Sequence, residues 1–152
     1  MYKKLMVPLD GSDTSKLALS HAAALARLSG ATVVLFHVIE ELAHSRGRER
    51  PRVYIEEIRP RFLAAGHAVL EEGAERLRKE GVNVETTLLE SGGRRASELI
   101  AEQAGELGCD LVILGTHGRR GVERLLMGSD AEQVARMAPM PVMLVRGQGD
   151  NA

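Results

Sequence analysis

Short, almost uninterrupted apolar runs recur along the chain, and this recurrence constrains its fold more than any other feature. Four such runs cover residues 5–9, 31–38, 109–115 and 141–146. They predict strands, and the two longest are typical of strands buried on both faces of a parallel sheet. A fifth segment, residues 82–89, alternates partly between apolar and polar side chains and predicts a strand nearer the sheet edge.

Between these runs lie segments whose apolar and small residues recur at helical spacing. Helices are predicted from the turn-and-cap residues 10–13 to Gly30, over 61–80 and 97–107, and after Ser129. The residues that carry this spacing are, in chain order, Leu17, Ala18, His21, Ala22, Leu25, Ala26 and Leu28; Leu63, Ala64, His67, Leu70, Ala74 and Leu77; Leu99, Ile100, Ala104 and Leu107, which are predicted to point inward; and Ala131, Val134, Ala135 and Ala138. Strands that alternate with helices predict an α/β fold, in which an open parallel sheet carries helices on both faces.

No repeat, low-complexity tract or linker divides the chain of 152 residues. Residues 1–147 are therefore predicted to form a single domain, and residues 148–152 a frayed C-terminal tail. The polar and basic segment 39–60 contains two prolines. It is predicted to be a long, partly mobile connection.

Charge and cysteine content exclude several classes of function. Lys and Arg total 20 against 21 Asp and Glu, so the net charge of -1 gives no general attraction to nucleic acid or to an anionic membrane. The single cysteine, Cys109, excludes an intramolecular disulfide, and its apolar surroundings predict a buried, unreactive thiol.

The apolar run near the N-terminus is too short for a signal peptide or a membrane span, which favours a cytoplasmic protein. The histidines show no metal-ligand spacing, so no metal site is predicted.

Two loops that follow predicted strands carry residues suited to holding a ligand. In open α/β sheets, ligands bind beyond the carboxyl ends of the strands, where the strand order reverses. One loop is residues 8–12, and the other is "GTHGRRGVERLLMGSD", Gly115 to Asp130, with four glycines and three arginines. Glycines let the backbone approach an anion closely, and Gly128 and Ser129 precede a predicted helix whose N-terminus favours negative charge. These residues are expected to hold a phosphate.

Ordinary turn and cap chemistry would produce the same glycines and serine, so spacing alone leaves both interpretations open. The stretch lacks the Lys-Ser/Thr ending of a Walker loop and the tight G-x-G-x-x-G of a dinucleotide fold. Its arginines are Arg119, Arg120 and Arg124. Of these, Arg119 is the one expected to reach phosphate oxygens, and the other two are expected on the surface.

A longer pattern gives the stretch a family context. Gly115-x-x-Gly118, nine residues, and Gly128-Ser129 match a G-x2-G-x9-G-(S/T) signature. "MYKKLMVPLDGSDTS", "LFHVIE", "DLVILGTHGRRGVERLLMGS" and "APMPVMLVR" follow one another in the order typical of the same family. The chain resembles the universal stress protein family, in its ATP-binding branch. This resemblance implies a Rossmann-like five-stranded parallel sheet in the order 3-2-1-4-5, with ATP, ADP or AMP lying between strands one and four.

The resemblance also implies roles for individual residues. The adenosine would lie against the end of the first strand and the backbone of Val38, with Asp10 reaching the ribose or the base, and the phosphates would follow the glycine-rich stretch. The implied nucleotide-binding set is Pro8, Leu9, Asp10, Val38, Leu114, Gly115, His117, Gly118, Arg119, Gly128, Ser129 and Asp130. On the sequence alone, Asp10 is equally well a turn residue, Val38 a core residue and His117 a solvated loop residue. Magnesium could bridge the phosphates, since it needs few protein ligands.

One residue departs from the family pattern. Asp130 stands where the family generally has valine or another small apolar residue. A carboxylate in the first turn of a helix suits the helix dipole, yet it would repel a triphosphate if it faced the site. The sequence therefore leaves the choice of nucleotide open, with AMP or ADP easier to accommodate than ATP.

Three hypotheses for function follow. The main one is an adenine-nucleotide-binding stress or signalling protein without strong catalysis, because no catalytic triad or carboxylate pair is evident and the phosphate loop has no lysine. A second is a slow ATPase, or a phosphoryl- or adenylyl-transferring enzyme that uses His117 or Asp10. A third, suggested by Asp130, is a nucleotide-free dimer that acts as an interaction module. The resemblance further implies a homodimer paired through the last strand, Val142 to Val145; the alternative is an edge shielded by its own tail.

Overall fold

The strands of the chain form one parallel sheet. The computed structural model describes residues 2–40, 51–116 and 130–147. Its strands are β1 (Lys4–Pro8), β2 (Thr32–Ile39), β3 (Val84–Glu90), β4 (Leu111–Thr116) and β5 (Val142–Arg146). They are arranged in the order β3-β2-β1-β4-β5, with every pairing parallel. The predicted α/β fold class and strand order are confirmed, and β3 lies at a sheet edge as expected.

Four helical segments flank the sheet in the described ranges. They are α1 (Asp13–Ser29), α2 (the continuous run Pro51–Val53, Tyr54–Ile58 and Arg59–Lys79), α3 (Ala96–Glu106) and α4 (residues 130–137). Helix α1 begins where the Ser12 hydroxyl accepts a hydrogen bond from the Ser15 amide, and it ends at Gly30, whose φ of 77° is the usual left-handed helix stop. None of the described helices is both long and apolar enough to cross a membrane.

The core has two layers because successive side chains of each strand point to opposite faces. Leu5 and Val7 of β1 pack with α1 and α2, whereas Met6 between them packs with α3 and α4. All three side chains are fully buried. Helices on both faces therefore explain why the inner residues of the central strands are mostly apolar on both sides.

The segment predicted as a connection is partly helical. Residues 41–50 lie outside the described ranges, but the chain is helical from Pro51, ten residues before the predicted start at Arg61. One turn is wider than an α-helix, because the Arg59 amide donates to the Tyr54 carbonyl, five residues back. Pro60 follows directly, and it has no N–H to donate. The wide turn thus lets the helix continue through Pro60, although a proline inside a helix usually breaks it.

Most residues of the predicted helical patterns are at least half-buried, but five are exposed: His21 and Leu28 on α1, Ala64 and His67 on α2, and Ala135 on α4. Leu28 is 86% exposed, because it lies two residues beyond the buried Ala26 and so on the opposite side of α1. His67 on α2 is also exposed, and the inward positions are taken by Gly66, Leu70 and Gly73. Small residues on the inward face bring this helix close to the sheet.

Candidate functional site

A cavity of about 250 Å³ opens at the carboxyl ends of the central strands. It lies where β1 has β2 on one side and β4 on the other, which is the point at which the strand order reverses. The lining residues come from six helices and strands and the loops beside them: Pro8, Leu9, Asp10, Ser12, Ser15, Phe36, Val38, Glu40, Ala96, Ile100, Leu114, Gly115, Asp130 and Ala131. Parallel strands bring these distant segments together because their carboxyl ends share one sheet edge.

The loop from β1 to α1 forms one wall and is held by its own hydrogen bonds. The Leu9 amide donates to the Phe36 carbonyl at 2.8 Å, which extends the pairing of β1 with β2 by one residue. Asp10 Oδ1 accepts from the Ser12 amide at 2.9 Å, and Gly11 between them has a φ of 86°. This Asx turn needs a residue without a Cβ at its centre, and it fixes the carboxylate at the mouth of the cavity.

Alternate residues of β2 form an apolar floor, and Glu40 follows directly after the strand at the edge of this floor. Phe36, Val38 and Glu40 lie two residues apart and therefore on the same face of the sheet. Glu40 Oε2 accepts a hydrogen bond from the Ala96 amide at 3.3 Å, at the start of α3, where the Arg95 side chain makes no cap. A carboxylate from another strand thereby satisfies one free amide of the helix and suits its dipole.

Gly115 has a structural role that its place in the glycine-rich stretch does not reveal. A Cβ at this position would lie 2.3 Å from the Thr14 carbonyl oxygen and 3.0 Å from the Ser15 nitrogen. Those atoms belong to the first turn of α1. The missing side chain therefore lets the end of β4 contact the backbone of α1. Gly115 and Ser15, on the two sides of this contact, both line the cavity.

Carboxylates are the charged groups in the described lining. Asp10, Glu40 and Asp130 all line the cavity, and Asp130 is exposed. No lysine, arginine or histidine lies among the described lining residues. Carboxylate oxygens accept hydrogen bonds, so this part of the cavity is suited to hydroxyl and amino donors above an apolar floor.

The residues expected at the site divide into two groups. Those that line the cavity are Pro8, Leu9, Asp10, Val38, Leu114, Gly115 and Asp130. Those that lie outside the described ranges are His117, Gly118, Arg119, Gly128 and Ser129. Seven lining residues are not in the expected set: Ser12, Ser15, Phe36, Glu40, Ala96, Ile100 and Ala131. Glu40 could have been singled out as the first charged residue after an apolar strand. Nothing in the sequence, however, shows that α3 begins within hydrogen-bonding distance of its carboxylate.

The described ranges contain neither a metal-binding cluster nor an activated cysteine. No group of three His, Cys, Asp or Glu side chains there could hold a metal ion. Cys109 is buried, and this burial raises the pKa of its thiol to about 11. A thiol with so high a pKa is almost entirely protonated at neutral pH and is a poor nucleophile, as the sequence indicated.

Comparison with known proteins places the chain in a family. A profile of the universal stress protein family matches residues 1–146. The universal stress protein YxiE of Bacillus subtilis is 31% identical over 151 residues, which cover 96% of this chain and 100% of the relative.

Solved structures of related proteins share the fold. The structure of MJ0577, a universal stress protein of Methanocaldococcus jannaschii, matches with a TM-score of 0.83 and 28% identity, covering 100% of this chain and 99% of its own. The universal stress protein of Archaeoglobus fulgidus in complex with dAMP matches with a TM-score of 0.66 and 26% identity, covering 95% and 98% of the two chains. The chain described here belongs to the universal stress protein family.

Proposed function

We propose that the protein binds an adenine nucleotide in the cavity between β1 and β4 and acts as a stress-response or signalling module. The observation that carries the proposal is the lining of this cavity, an apolar floor with carboxylates at its rim, at the strand-order reversal. A relative with the same fold was solved with dAMP. A nucleoside has an apolar base and several hydrogen-bond donors, so its chemistry matches these walls.

In this proposal, the base lies on the floor that Phe36 and Val38 of β2 form and contacts Ile100 of α3. The Asp10 carboxylate, held at the cavity mouth by the Ser12 amide, accepts hydrogen bonds from ribose hydroxyls. Leu114 and Gly115 then lead toward the phosphates, which extend to Gly118, Arg119, Gly128 and Ser129. Magnesium would accompany the phosphates, with waters as most of its ligands.

Asp130 bears on the length of the phosphate chain. Its exposed carboxylate, on the first described residue of α4, lines the cavity beside the proposed phosphate position. Like charges in a partly enclosed site repel, and the repulsion grows with the number of phosphates. We propose that AMP and ADP bind more tightly than ATP. The protein is proposed to bind nucleotide without turning it over rapidly.

Assembly and location belong to the same proposal. We propose a homodimer in which β5, at the outer edge of the sheet, pairs with its copy. Leu144 on this strand is 46% exposed, which leaves an apolar side chain at an edge that a second chain would cover. Leu144→Glu is expected to give monomers in light scattering, with Leu28→Glu as a control at an exposed leucine on α1. Wild-type monomers at micromolar concentration would refute the dimer.

We also propose a cytoplasmic location, which is consistent with the single cysteine of the chain and its free thiol.

The test of the nucleotide proposal is calorimetric titration of AMP, ADP and ATP, with and without magnesium, after any co-purified ligand has been removed. The variant is Asp130→Val, and Glu132→Val is its control, because Glu132 is exposed on the same helix and does not line the cavity. We expect wild type to prefer AMP and Asp130→Val to gain most for ATP. No binding by either protein would refute nucleotide binding, and rapid phosphate release would favour an enzyme. Binding by Asp130→Val alone would favour a nucleotide-free module.

A further inference from the structure

We infer that His37 is a positioning residue for this site: from the opposite face of the sheet it holds the Leu9 carbonyl, and it thereby fixes the loop that carries Asp10. The consequence for affinity rests on the proposed function. The hydrogen bond between His37 and Leu9 does not depend on that proposal, because it forms within the protein without a ligand. His37 lies in β2, far in sequence from the glycine-rich stretch.

The contact is short and has one possible direction. His37 Nδ1 lies 2.7 Å from the Leu9 carbonyl oxygen. A carbonyl oxygen can only accept, so Nδ1 carries the proton and donates it. The Leu9 amide meanwhile donates to the Phe36 carbonyl. Both backbone polar groups of Leu9 are thus tied to β2, one by a neighbouring backbone and one by the imidazole.

His37 reaches this carbonyl from outside the cavity. Phe36 and Val38 line the cavity, so the side chain between them projects from the other face of the sheet, toward α2. There the imidazole fits because position 66 is glycine. A Cβ at Gly66 would lie 2.8 Å from His37 Cδ2 and 3.3 Å from its Nε2. The ring is therefore held between β2 and α2 in the orientation that the hydrogen bond needs.

Helix α2 supports the same loop at two further points. A Cβ at Gly73 would lie 2.9 Å from Leu9 Cδ1, so the leucine side chain packs directly on the helix backbone. Val69 Cγ2 lies 3.5 Å from the place where Gly11 would carry a Cβ. Residues 9–11 are consequently held from the α2 side, and Asp10 faces the cavity before any ligand arrives. A preorganised contact avoids the entropic cost of ordering the loop on binding.

The test uses two substitutions at the histidine. His37→Leu removes the donor, and His37→Asn keeps an N–H donor at the position of Nδ1. AMP affinity is measured by calorimetry. Exchange of the Ser12 amide proton, which is bonded to Asp10, is measured by nuclear magnetic resonance without ligand. For His37→Leu we expect Kd to rise about threefold to tenfold, the range for one hydrogen bond, and exchange to accelerate. For His37→Asn we expect both to return close to wild type.

Matched controls separate positioning from stability. Leu88→Ala truncates the β3 residue paired with His37, whose Cδ1 also lies 2.8 Å from the Gly66 Cβ position, and keeps the imidazole that bonds the Leu9 carbonyl. It should lower the free energy of unfolding and leave Kd unchanged. His67→Leu makes the same substitution at an exposed histidine of α2 and should change neither. If His37→Leu fails to fold, Gly66→Ala displaces the imidazole instead and should weaken AMP binding in the same direction.

The two proposals fail in distinguishable ways. If wild type binds no nucleotide, the proposed function is wrong, and the inference is then judged by Ser12 exchange alone. Faster exchange in His37→Leu that His37→Asn restores would still support it. If wild type binds AMP but His37→Leu binds equally well, or if His37→Asn is as weak as His37→Leu, the positioning role is refuted.

Discussion

Substitution of Gly115 by alanine should destabilise the protein through a backbone clash. The added Cβ would lie 2.3 Å from the Thr14 carbonyl oxygen, whereas side-chain Cβ atoms essentially never approach closer than 3.0 Å. The end of β4 and the first turn of α1 must therefore separate by about 0.7 Å. Both partners are main chain, so no side-chain rotation can relieve the contact. The expected loss in the free energy of unfolding is about 1–3 kcal/mol, the usual cost of overpacking.

Urea unfolding followed by circular dichroism measures this loss. With a slope of about 2 kcal/mol per molar urea, the midpoint should fall by about 0.5–1.5 M. Gly105→Ala is the matched control, because its Cβ would meet Pro139 at an ordinary 3.5 Å. Gly105 lies in α3, so alanine there should raise stability by up to about 1 kcal/mol.

The opposite signs of these two alanine substitutions make the experiment decisive. Unchanged stability of Gly115→Ala would mean that α1 moves away from β4 at no cost. The close contact between β4 and α1 would then not require a glycine at position 115, and the structural role derived above would be wrong.

Three further predictions concern single side chains. Cys109, with its pKa raised by burial, should resist thiol reagents in folded protein at neutral pH and react fully in urea; rapid labelling of the folded state would contradict its burial. The Arg59 hydrogen bonds lower the pKa of Glu90 below 4.5, so the ionised pair stabilises the fold above that pH and the benefit is lost as the pH falls through the lowered pKa. Glu90→Gln should therefore be less stable than wild type by up to about 1 kcal/mol at neutral pH and equally stable in acid, and a pH-independent difference would refute the assignment. Ser97 is fully buried, and its hydroxyl has no hydrogen-bond partner among the described residues, so Ser97→Ala should be neutral or more stable by up to about 1 kcal/mol in urea unfolding; a clear loss would show that the hydroxyl is satisfied elsewhere.

The strands could be predicted from the sequence because burial on both faces leaves a simple pattern. The apolar run at residues 31–38 corresponds to Thr32–Ile39, and the run at 5–9 to Lys4–Pro8. Boundaries shift by one residue because hydrogen bonding, not hydrophobicity, ends a strand. The strand order came from the resemblance to a family, since no local pattern shows which strands are neighbours.

The missed features depend on contacts between distant segments. Residues 51–60 are charged and contain two prolines, so their local preference is for a connection, yet they continue a helix that packs on the sheet further along. Glu40 belongs to the cavity because α3 begins beside it, and His37 matters because a glycine 29 residues later leaves room for its ring. Neither partner is marked in the sequence.

The pairing of β1 with β4 sets the timing of folding during synthesis. Lys3 and Lys4 donate their amides to the Asp110 carboxylate, and Leu5 lies opposite Leu111, more than 100 residues away. On the ribosome, β1 and β2 can pair early, but one edge of β1 stays open until β4 emerges. At about 5–20 residues per second, the interval between the end of β2 and the end of β4 is about 4–15 s. The cavity beside β1 cannot exist before then, so a ligand could act only after β4 has been made.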